Sequence, residues 1–179
     1  NDAPIGTITN PAAVLEDAAA ATTAVVLSGV APGPATATDE AGQTVTRTIQ
    51  ANSNPTLFAA GPTLNADGTI TFTPAPNQNG TATLTIRLQD NGGTANGGVD
   101  TTDLTATITV TAVNDAPIGT VTNPAAVLEN AGAVTTAVVL SGVGPGPATA
   151  TDEAGQTVTR TIQTNTNPGL FAAGPTLNA

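Results

Sequence analysis

Residues 81–88 read Thr-Ala-Thr-Leu-Thr-Ile-Arg-Leu, in which polar and apolar side chains alternate with a period of two. Residues 104–112, Leu-Thr-Ala-Thr-Ile-Thr-Val-Thr-Ala, repeat that alternation. Successive side chains of a β-strand point to opposite faces, so this pattern predicts two strands with their apolar side chains on one face. We therefore predict two half-buried strands of an antiparallel sheet.

Five shorter segments also have strand character and are separated by turn-forming sequences such as Asn10-Pro11, Gly61-Pro62 and Asp67-Gly68. The predicted strands are residues 5–9, 13–15, 22–27, 44–50 and 69–73. Seven strands at this spacing predict an all-β fold, an antiparallel β-sandwich. Arg47 does not fit the pattern, because its position puts it on the same face as Val45 and Ile49.

The chain repeats itself with a period of 113 residues. Residues 1–66 return as residues 114–179, and 58 of the 66 aligned positions are identical. We predict one complete sandwich, 1–113, and the first part of a near-identical second one, 114–179, and interpret the chain as an excerpt of a longer array. A tandem copy is typical of a spacer or lattice element, whereas a catalytic site exists once and drifts when duplicated.

The composition excludes several classes of function. The chain has no Cys, His, Met, Trp, Tyr or Lys, so no thiol or imidazole nucleophile or base is available and no zinc site can form in the usual way. Three Arg against 13 Asp and Glu repel a phosphate backbone, so nucleic acid is excluded as a partner. No segment is apolar over the roughly 18 residues that a membrane span needs. We predict that the protein is not an enzyme and has no buried ligand pocket.

The acidic residues are sparse, and most of them fall in predicted loops. Charged residues make up 9% of the chain, and the net charge is -10. Oxygen-bearing side chains in loops suit a hard cation such as Ca²⁺, which takes six to eight oxygen ligands. The joint between the copies, residues 114–117, is short and stiffened by Pro117.

Several motifs together resemble the cadherin-like tandem repeats of large bacterial surface proteins. They are Val-Leu-Glu-Asp at 14–17, Gly-Thr-Ile-Thr-Phe-Thr-Pro at 68–74, Asn-Gln-Asn-Gly at 77–80, Leu-Gln-Asp-Asn-Gly-Gly at 88–93, and the closing Thr-Val-Thr-Ala-Val-Asn-Asp-Ala-Pro. The resemblance implies an Ig-like sandwich at the bacterial cell surface, with Ca²⁺ between successive modules.

By that resemblance, two groups of residues are candidate metal ligands. Glu16, Asn114, Asp115, Asp152 and Glu153 would serve the joint between the copies. Asn1, Asp2, Asp39, Glu40 and Asp90 would serve the preceding joint. The chain departs from the cadherin pattern at Thr111 and Ala112, where a further Asp is usual, and at residues 75–79, which are neutral.

Other interpretations of these acids stay open. Glu16, Asp17, Asp39 and Glu40 could be solvated turn acids, and Asn114-Asp115 could be a plain turn with side-chain to backbone hydrogen bonds. The Gly-rich stretch at 90–103 could hold a second ion or be a long hairpin loop.

The leading functional hypothesis is a structural repeat of an extracellular bacterial fibre, adhesin or biofilm matrix, in which Ca²⁺ fixes the angle between neighbouring repeats. The alternative is a self-assembling filament or surface-layer subunit, in which the incomplete second sandwich or exposed strand edges pair with other copies of the chain.

Overall fold

The computed structural model describes residues 1–178 of the 179. The chain divides into two compact units, the first being Asn1–Val113 and the second starting at Asn114. Both are built from strands and short 3-10 turns, so the predicted all-β class is confirmed. The two units are described separately below.

The first unit contains nine strand segments. They are β1 Ile5–Ile8, β2 Val14–Leu15, β3 Ala21–Thr22, β4 Leu27–Ala31, β5 Val45–Asn52, β6 Phe58–Leu64, β7 Ile70–Pro74, β8 Gly80–Asp90 and β9 Thr101–Thr111. The 3-10 turns Thr38–Glu40, Pro55–Leu57 and Ala95–Gly97 lie between them. The two strands that alternate most regularly in sequence, β8 and β9, are also the longest.

The strands of the first unit form three hydrogen-bonded groups. One sheet has the order β2-β9-β8-β5, a second has the order β3-β7-β6, and β1 pairs with β4. Neighbouring strands are antiparallel except for β2 and β9, which run parallel. β8 and β9 pair without interruption from Gly80 opposite Val110 to Gln89 opposite Thr101. They form the centre of the four-stranded sheet.

The core lies between the four-stranded sheet and the group that contains β7. The inward side chains of β8 and β9 are buried, as the alternation predicts, except that Leu104 is only partly buried. Phe58 and Phe72 meet edge to face, with ring centroids 5.4 Å apart. The buried apolar residues are Val26, Leu27, Leu57, Phe58, Ile70, Phe72, Ala82, Leu84, Ile86, Leu88, Ala106, Ile108 and Val110.

The predicted strand at residues 22–27 is wrong in detail. The chain forms β3, bends, and then forms β4, because it leaves β7 and joins β1. At the bend the N–H groups of Val26 and Leu27 both donate to the carbonyl oxygen of Gly68, at 2.8 and 3.0 Å. Both side chains are buried, which breaks the period of two.

β6 is not among the predicted strands, because Gly61-Pro62 is a turn-forming sequence and indicates a turn between strands. The strand pairs only with β7 and so lies at the edge of its sheet. An edge strand tolerates a proline, because on the side that faces solvent no neighbouring strand needs a hydrogen bond from the missing N–H. Arg47 is exposed rather than inward, and its guanidinium donates to the carbonyl oxygen of Ala66 at 2.8 Å.

The second unit has far less regular structure over residues 114–178. It contains the antiparallel pair β10 Ile118–Val121 and β11 Leu140–Gly144, with 3-10 turns at Thr151–Gly155 and Pro168–Leu170. These elements correspond to β1, β4 and the first two turns of the first unit. Residues 158–165, which correspond to β5, and residues 171–177, which correspond to β6, form no strand.

Burial differs accordingly between the two copies. Leu57 is 1% exposed and Phe58 is 8% exposed, whereas their counterparts Leu170 and Phe171 are 71% and 43% exposed. Among residues 114–178 only Gly146, Ala150 and Glu153 are buried. The sequence of a 66-residue half therefore does not suffice to bury its own apolar side chains.

An ion pair joins the central strands on their outer face. The Arg87 guanidinium donates two hydrogen bonds to the Asp103 carboxylate, at 2.8 and 2.7 Å, across the β8–β9 pair. These bonds hold the pKa of Asp103 below its usual range and raise the pKa of Arg87. Both groups are exposed, so the pair contributes little to the stability of the fold.

Residues 135–163 should exchange their amide hydrogens rapidly in the isolated chain, whereas the corresponding residues 22–50 should be protected. Residues 145–163 and 32–50 are identical in sequence, so the measurement needs NMR on chains in which only one half carries ¹⁵N. We expect exchange to be about a hundredfold slower or more in the first copy, since its strands are hydrogen-bonded within the core. Equal protection in both copies would contradict the structure.

The pKa of Asp103 should lie below the ordinary value of about 3.9. Because the folded pKa is lowered, the stabilisation is present above the unfolded pKa and is lost as the pH falls through the folded pKa. Arg87→Gln should return the pKa of Asp103 towards the ordinary range. Arg47→Gln should not, because Arg47 bonds to Ala66. An NMR titration of the Asp103 carboxyl carbon measures this pKa in each variant. An unchanged pKa in Arg87→Gln would show that Arg87 does not lower the pKa of Asp103.

Candidate functional site

The N-terminal end of the first unit gathers oxygen-bearing side chains from three separate segments. Asn1 donates its amide to the Asp90 carboxylate at 3.1 Å and to the carbonyl oxygen of Val99 at 2.8 Å. Glu40 accepts a hydrogen bond from the N–H of Asp2. Asp90 also accepts the N–H of Gly92 at 2.9 Å. The start of the chain is thereby attached to the end of β8 and to the 3-10 turn Thr38–Glu40.

Four oxygen atoms at this end are buried and have no hydrogen-bond partner. They are Oδ1 of Asn1, Oε2 of Glu40, Oε1 of Gln43 and Oδ2 of Asp90. A buried polar atom without a partner is costly, and two of these belong to carboxylates. Carboxylate and amide oxygens are of the kind that a hard cation takes as ligands.

Two glycines make room for this cluster, which we call the N-terminal oxygen cluster. A Cβ atom on Gly92 would lie 1.9 Å from Oδ1 of Asn1 and 2.6 Å from the amide nitrogen of Gln43. A Cβ atom on Gly33 would lie 1.9 Å from Oε2 of Glu40. Any side chain at either position would therefore displace an oxygen of the cluster.

The C-terminal end of the first unit is organised around Glu16, which is 2% exposed. One carboxylate oxygen accepts the N–H of Val113 at 2.7 Å, and the other accepts the amide of Asn79 at 3.2 Å. The N–H of Glu16 itself donates to the carbonyl oxygen of Thr111 at 2.9 Å. Glu16 therefore fastens the last residues after β9 to the body of the unit.

The acidic pairs at 16–17 and 39–40 each divide into one buried and one exposed member. Glu16 and Glu40 are buried, so the interpretation of these two as solvated turn acids is wrong. Asp17 and Asp39 are exposed. Asp17 adopts a positive φ of 59° and accepts the N–H of Asn77 at 2.9 Å.

The second unit repeats part of the N-terminal arrangement. Glu153 is 1% exposed and accepts the N–H of Asp115 at 2.6 Å, while its other oxygen is buried without a partner. Gln156 donates to the side-chain oxygen of Asn114 at 3.1 Å. Asn114 also donates to the carbonyl oxygen of Asp115 at 2.9 Å, and residues 112–117 form no hydrogen-bonded turn. Asp152 is exposed.

The structure places the predicted ligands in separate groups. Asn1, Glu40 and Asp90 lie in the N-terminal oxygen cluster, with Asp2 contributing its N–H and Asp39 beside Glu40 in the turn. In residues 1–178, no three Asp or Glu side chains converge as a metal site. The cluster thus has two carboxylates and two amide oxygens.

Sequence reasoning missed Gln43. It follows Glu40 by three residues, and its counterpart Gln156 follows Glu153 in the same way. Identity between the two copies does not mark Gln43 as functional, because most aligned positions are identical. Of the Gly-rich stretch, Asp90 joins the cluster, Asp100 accepts the amide of Gln89 at 3.3 Å, and Asp103 binds Arg87.

Replacing Glu16 by Ala should lower the free energy of unfolding of the first unit by about 2 kcal/mol, because the N–H of Val113 and the amide of Asn79 lose their acceptors. Asp17→Asn is the matched control, since the second copy carries Asn130 at that position. Urea unfolding monitored by circular dichroism measures the free energy of unfolding of both variants. Equal stability of the two variants would show that Glu16 does not fasten the C-terminal end.

The comparisons with known proteins agree with this architecture. A family model for the bacterial Ig domain matches residues 1–111, whereas no curated protein and no solved structure matches the chain. Bacterial Ig domains are non-enzymatic structural domains and commonly occur in surface proteins. Within residues 1–178 there is no helix long and apolar enough to cross a membrane. Since the match covers more than half of its length, the chain belongs to the bacterial Ig domain family.

Proposed function

We propose that residues 1–113 are a structural repeat of an extracellular bacterial fibre or adhesin and act as a stiff spacer. The observation that carries the proposal is the tandem copy, in which 58 of 66 residues are identical within a chain of the bacterial Ig domain family. Tandem copies of one sandwich supply length in proportion to their number. The composition supports this role, because the chain lacks Cys, His and Lys, which serve in many catalytic sites.

The connection between the copies supports a stiff spacer. β9 ends at Thr111 and β10 begins at Ile118, so few residues lie between the strands. In the first unit Glu16 holds the N–H of Val113, and in the second unit Glu153 holds the N–H of Asp115. Only Asn114 stands between these two anchored amides in the sequence. Each anchored residue removes backbone freedom from the connection.

We further propose that Ca²⁺ binds in the N-terminal oxygen cluster and stiffens the joint that precedes the unit. The four buried oxygens without partners support this, because each is of the kind that Ca²⁺ takes as a ligand. Since Asn1 is one of the four, a bound ion would fasten the start of the unit to β8 and to the turn that carries Glu40. We propose that further ligands of Ca²⁺ at the joints between repeats are Glu16, Asp2, Asp39 and Asp152.

The number and charge of the proposed ligands determine the expected affinity for Ca²⁺. Two carboxylates and two amide oxygens carry little charge for a calcium site, and the remaining ligands would be water or backbone oxygens. We therefore expect a dissociation constant of about 10⁻⁴ to 10⁻³ M, the range of extracellular modules. Such a site is filled where calcium is abundant outside the cell and is empty in the cytosol.

Calorimetric titration of Ca²⁺ into the 179-residue chain should show binding, and thermal unfolding should shift upwards relative to chelator. At ten times the dissociation constant, the stabilisation is about 1.4 kcal/mol, which corresponds to a rise in Tm of roughly 5 °C. Glu40→Gln should abolish both effects. Asp103→Asn removes the same charge outside the cluster and should preserve them. Mg²⁺ at equal ionic strength controls for screening, and an equal response to both metals would contradict the calcium site.

The spacer role is tested on a chain of two complete repeats, made by placing residues 67–113 again after Ala179. Small-angle scattering should give a larger maximum dimension with Ca²⁺ than with chelator, because the bound ion restricts the joint. Glu153→Gln, the second-unit equivalent of Glu40→Gln, should behave like the chelated protein at all calcium concentrations. A dimension that does not respond to calcium, together with calorimetric binding, would leave the ion in place but refute its role at the joint.

A further inference from the structure

β5 is the long, regular edge of the two larger sheets in the first unit. The four edge strands of these sheets are β2, β5, β3 and β6. β2 and β3 have two residues each, and β6 is interrupted by Pro62 and by two shifts of register. β5 has eight residues and pairs regularly with β8 from Val45 to Ile49. An open edge offers unpaired N–H and C=O groups, so β5 is where a strand of another molecule could add.

The sequence of β5 favours such an addition at every position but one. Residues 45–51 read Val-Thr-Arg-Thr-Ile-Gln-Ala, in which four of the seven are β-branched and none is Pro or Gly. Short segments with high β-propensity and low charge pair readily with copies of themselves. Arg47 is the one charged residue of β5, and it stands in the middle of the regular stretch. The chain has no Lys, the residue that most often protects an edge strand.

Arg47 leaves β5 on the core side, although its guanidinium is exposed. It is paired with the buried Leu88, and residues directly opposite each other share a face of the sheet. The guanidinium reaches the carbonyl oxygen of Ala66, in the turn that follows β6 of the other sheet. A hollow of about 400 Å³ between these elements is lined by Val45, Arg47, Leu64, Asn65 and Ala66. The charge of Arg47 therefore lies where the two sheets leave the side of the sandwich open.

A strand added to β5 would bury this charge. Neighbouring strands lie about 4.8 Å apart, so the core-side residues of the added strand would lie beside Arg47 and exclude water from it. Among residues 1–178 the guanidinium of Arg47 has its hydrogen bond to Ala66 but no ion-pair partner. Burying an unpaired charge is costly. If the added strand is β5 of another copy, two Arg47 side chains also approach and repel each other.

We propose that Arg47 protects the edge of β5 and is the residue that keeps identical repeats from pairing with one another through this strand. Near-identical copies joined in one chain stay at an effective concentration on the order of millimolar, so an unprotected edge would find a partner readily. The second copy has Arg160 at this position, within residues 157–163, which are identical to residues 44–50. This protection acts whether or not Ca²⁺ binds at the joints.

The test compares variants of the 179-residue chain by sedimentation velocity over a range of concentrations. Arg47→Gln keeps a side-chain donor for Ala66 but removes the charge, and it should self-associate about tenfold more tightly than the wild-type chain, or more. Arg47→Glu loses the donor but carries a charge, and it should associate no more than the wild type. All of these chains contain the same residues 114–179, so any association through that part is common to them.

Arg87→Gln is the matched control. It changes the net charge as Arg47→Gln does, but on the outer face of the central strand β8, and it should not increase association. Amide exchange of residues 45–49 should slow in associated Arg47→Gln, which locates the contact at β5. If circular dichroism shows that Arg47→Gln does not fold, Arg47→Thr makes the same comparison with a residue that favours strands.

Two results would overturn the proposal. Self-association of the uncharged variant that is no tighter than that of the wild-type chain would show that Arg47 does not protect the edge. Association of Arg47→Glu as tight as that of the uncharged variant would show that the hydrogen bond to Ala66, and not the charge, keeps the chains apart.

Discussion

The pairing of β8 with β9 is the interaction on which the rest of the fold depends. These two strands contribute seven fully buried apolar side chains and form the centre of the larger sheet. Their hydrogen bonds position β2 and β5 on either side, and their inward faces meet β7 and the two phenylalanines. Each buried Leu or Ile contributes on the order of 1.5–3 kcal/mol by leaving water. Without this pair β2 and β5 have no hydrogen-bonding partner strand, and the buried side chains of β7 lose the surface that they pack against.

The repeat is a natural comparison of one sequence in two surroundings. What persists in the second copy has all its partners within residues 114–178: the β10–β11 pair, the turn Thr151–Gly155 and the bond from the N–H of Asp115 to Glu153. What is lost is the set of strands whose partners lie in residues 67–113. Strand propensity in residues 158–165 therefore does not by itself produce a strand, because the ladder bonds and the buried face come from elsewhere in the chain.

The same division explains how much of the structure the sequence could predict. β8 and β9 were predictable because strict alternation over many residues has one interpretation. The break between β3 and β4 was not, because it depends on Val26 and Leu27 both reaching the carbonyl oxygen of Gly68, a contact between distant segments. β6 was hidden by a proline that only an edge position tolerates. Among the candidate ligands, sequence indicated the acids but not Gln43, since amide oxygens have no pattern of their own.

The two ends of the first unit differ in how their buried carboxylates are satisfied. Both oxygens of Glu16 accept hydrogen bonds from groups of the same unit. Glu40 and Asp90 each use one oxygen in this way and keep the other buried without a partner. A chain with so few charges would gain nothing by burying two carboxylates at one end unless something compensates them. The cation that we propose for the N-terminal oxygen cluster would compensate these carboxylates at the end where one repeat begins.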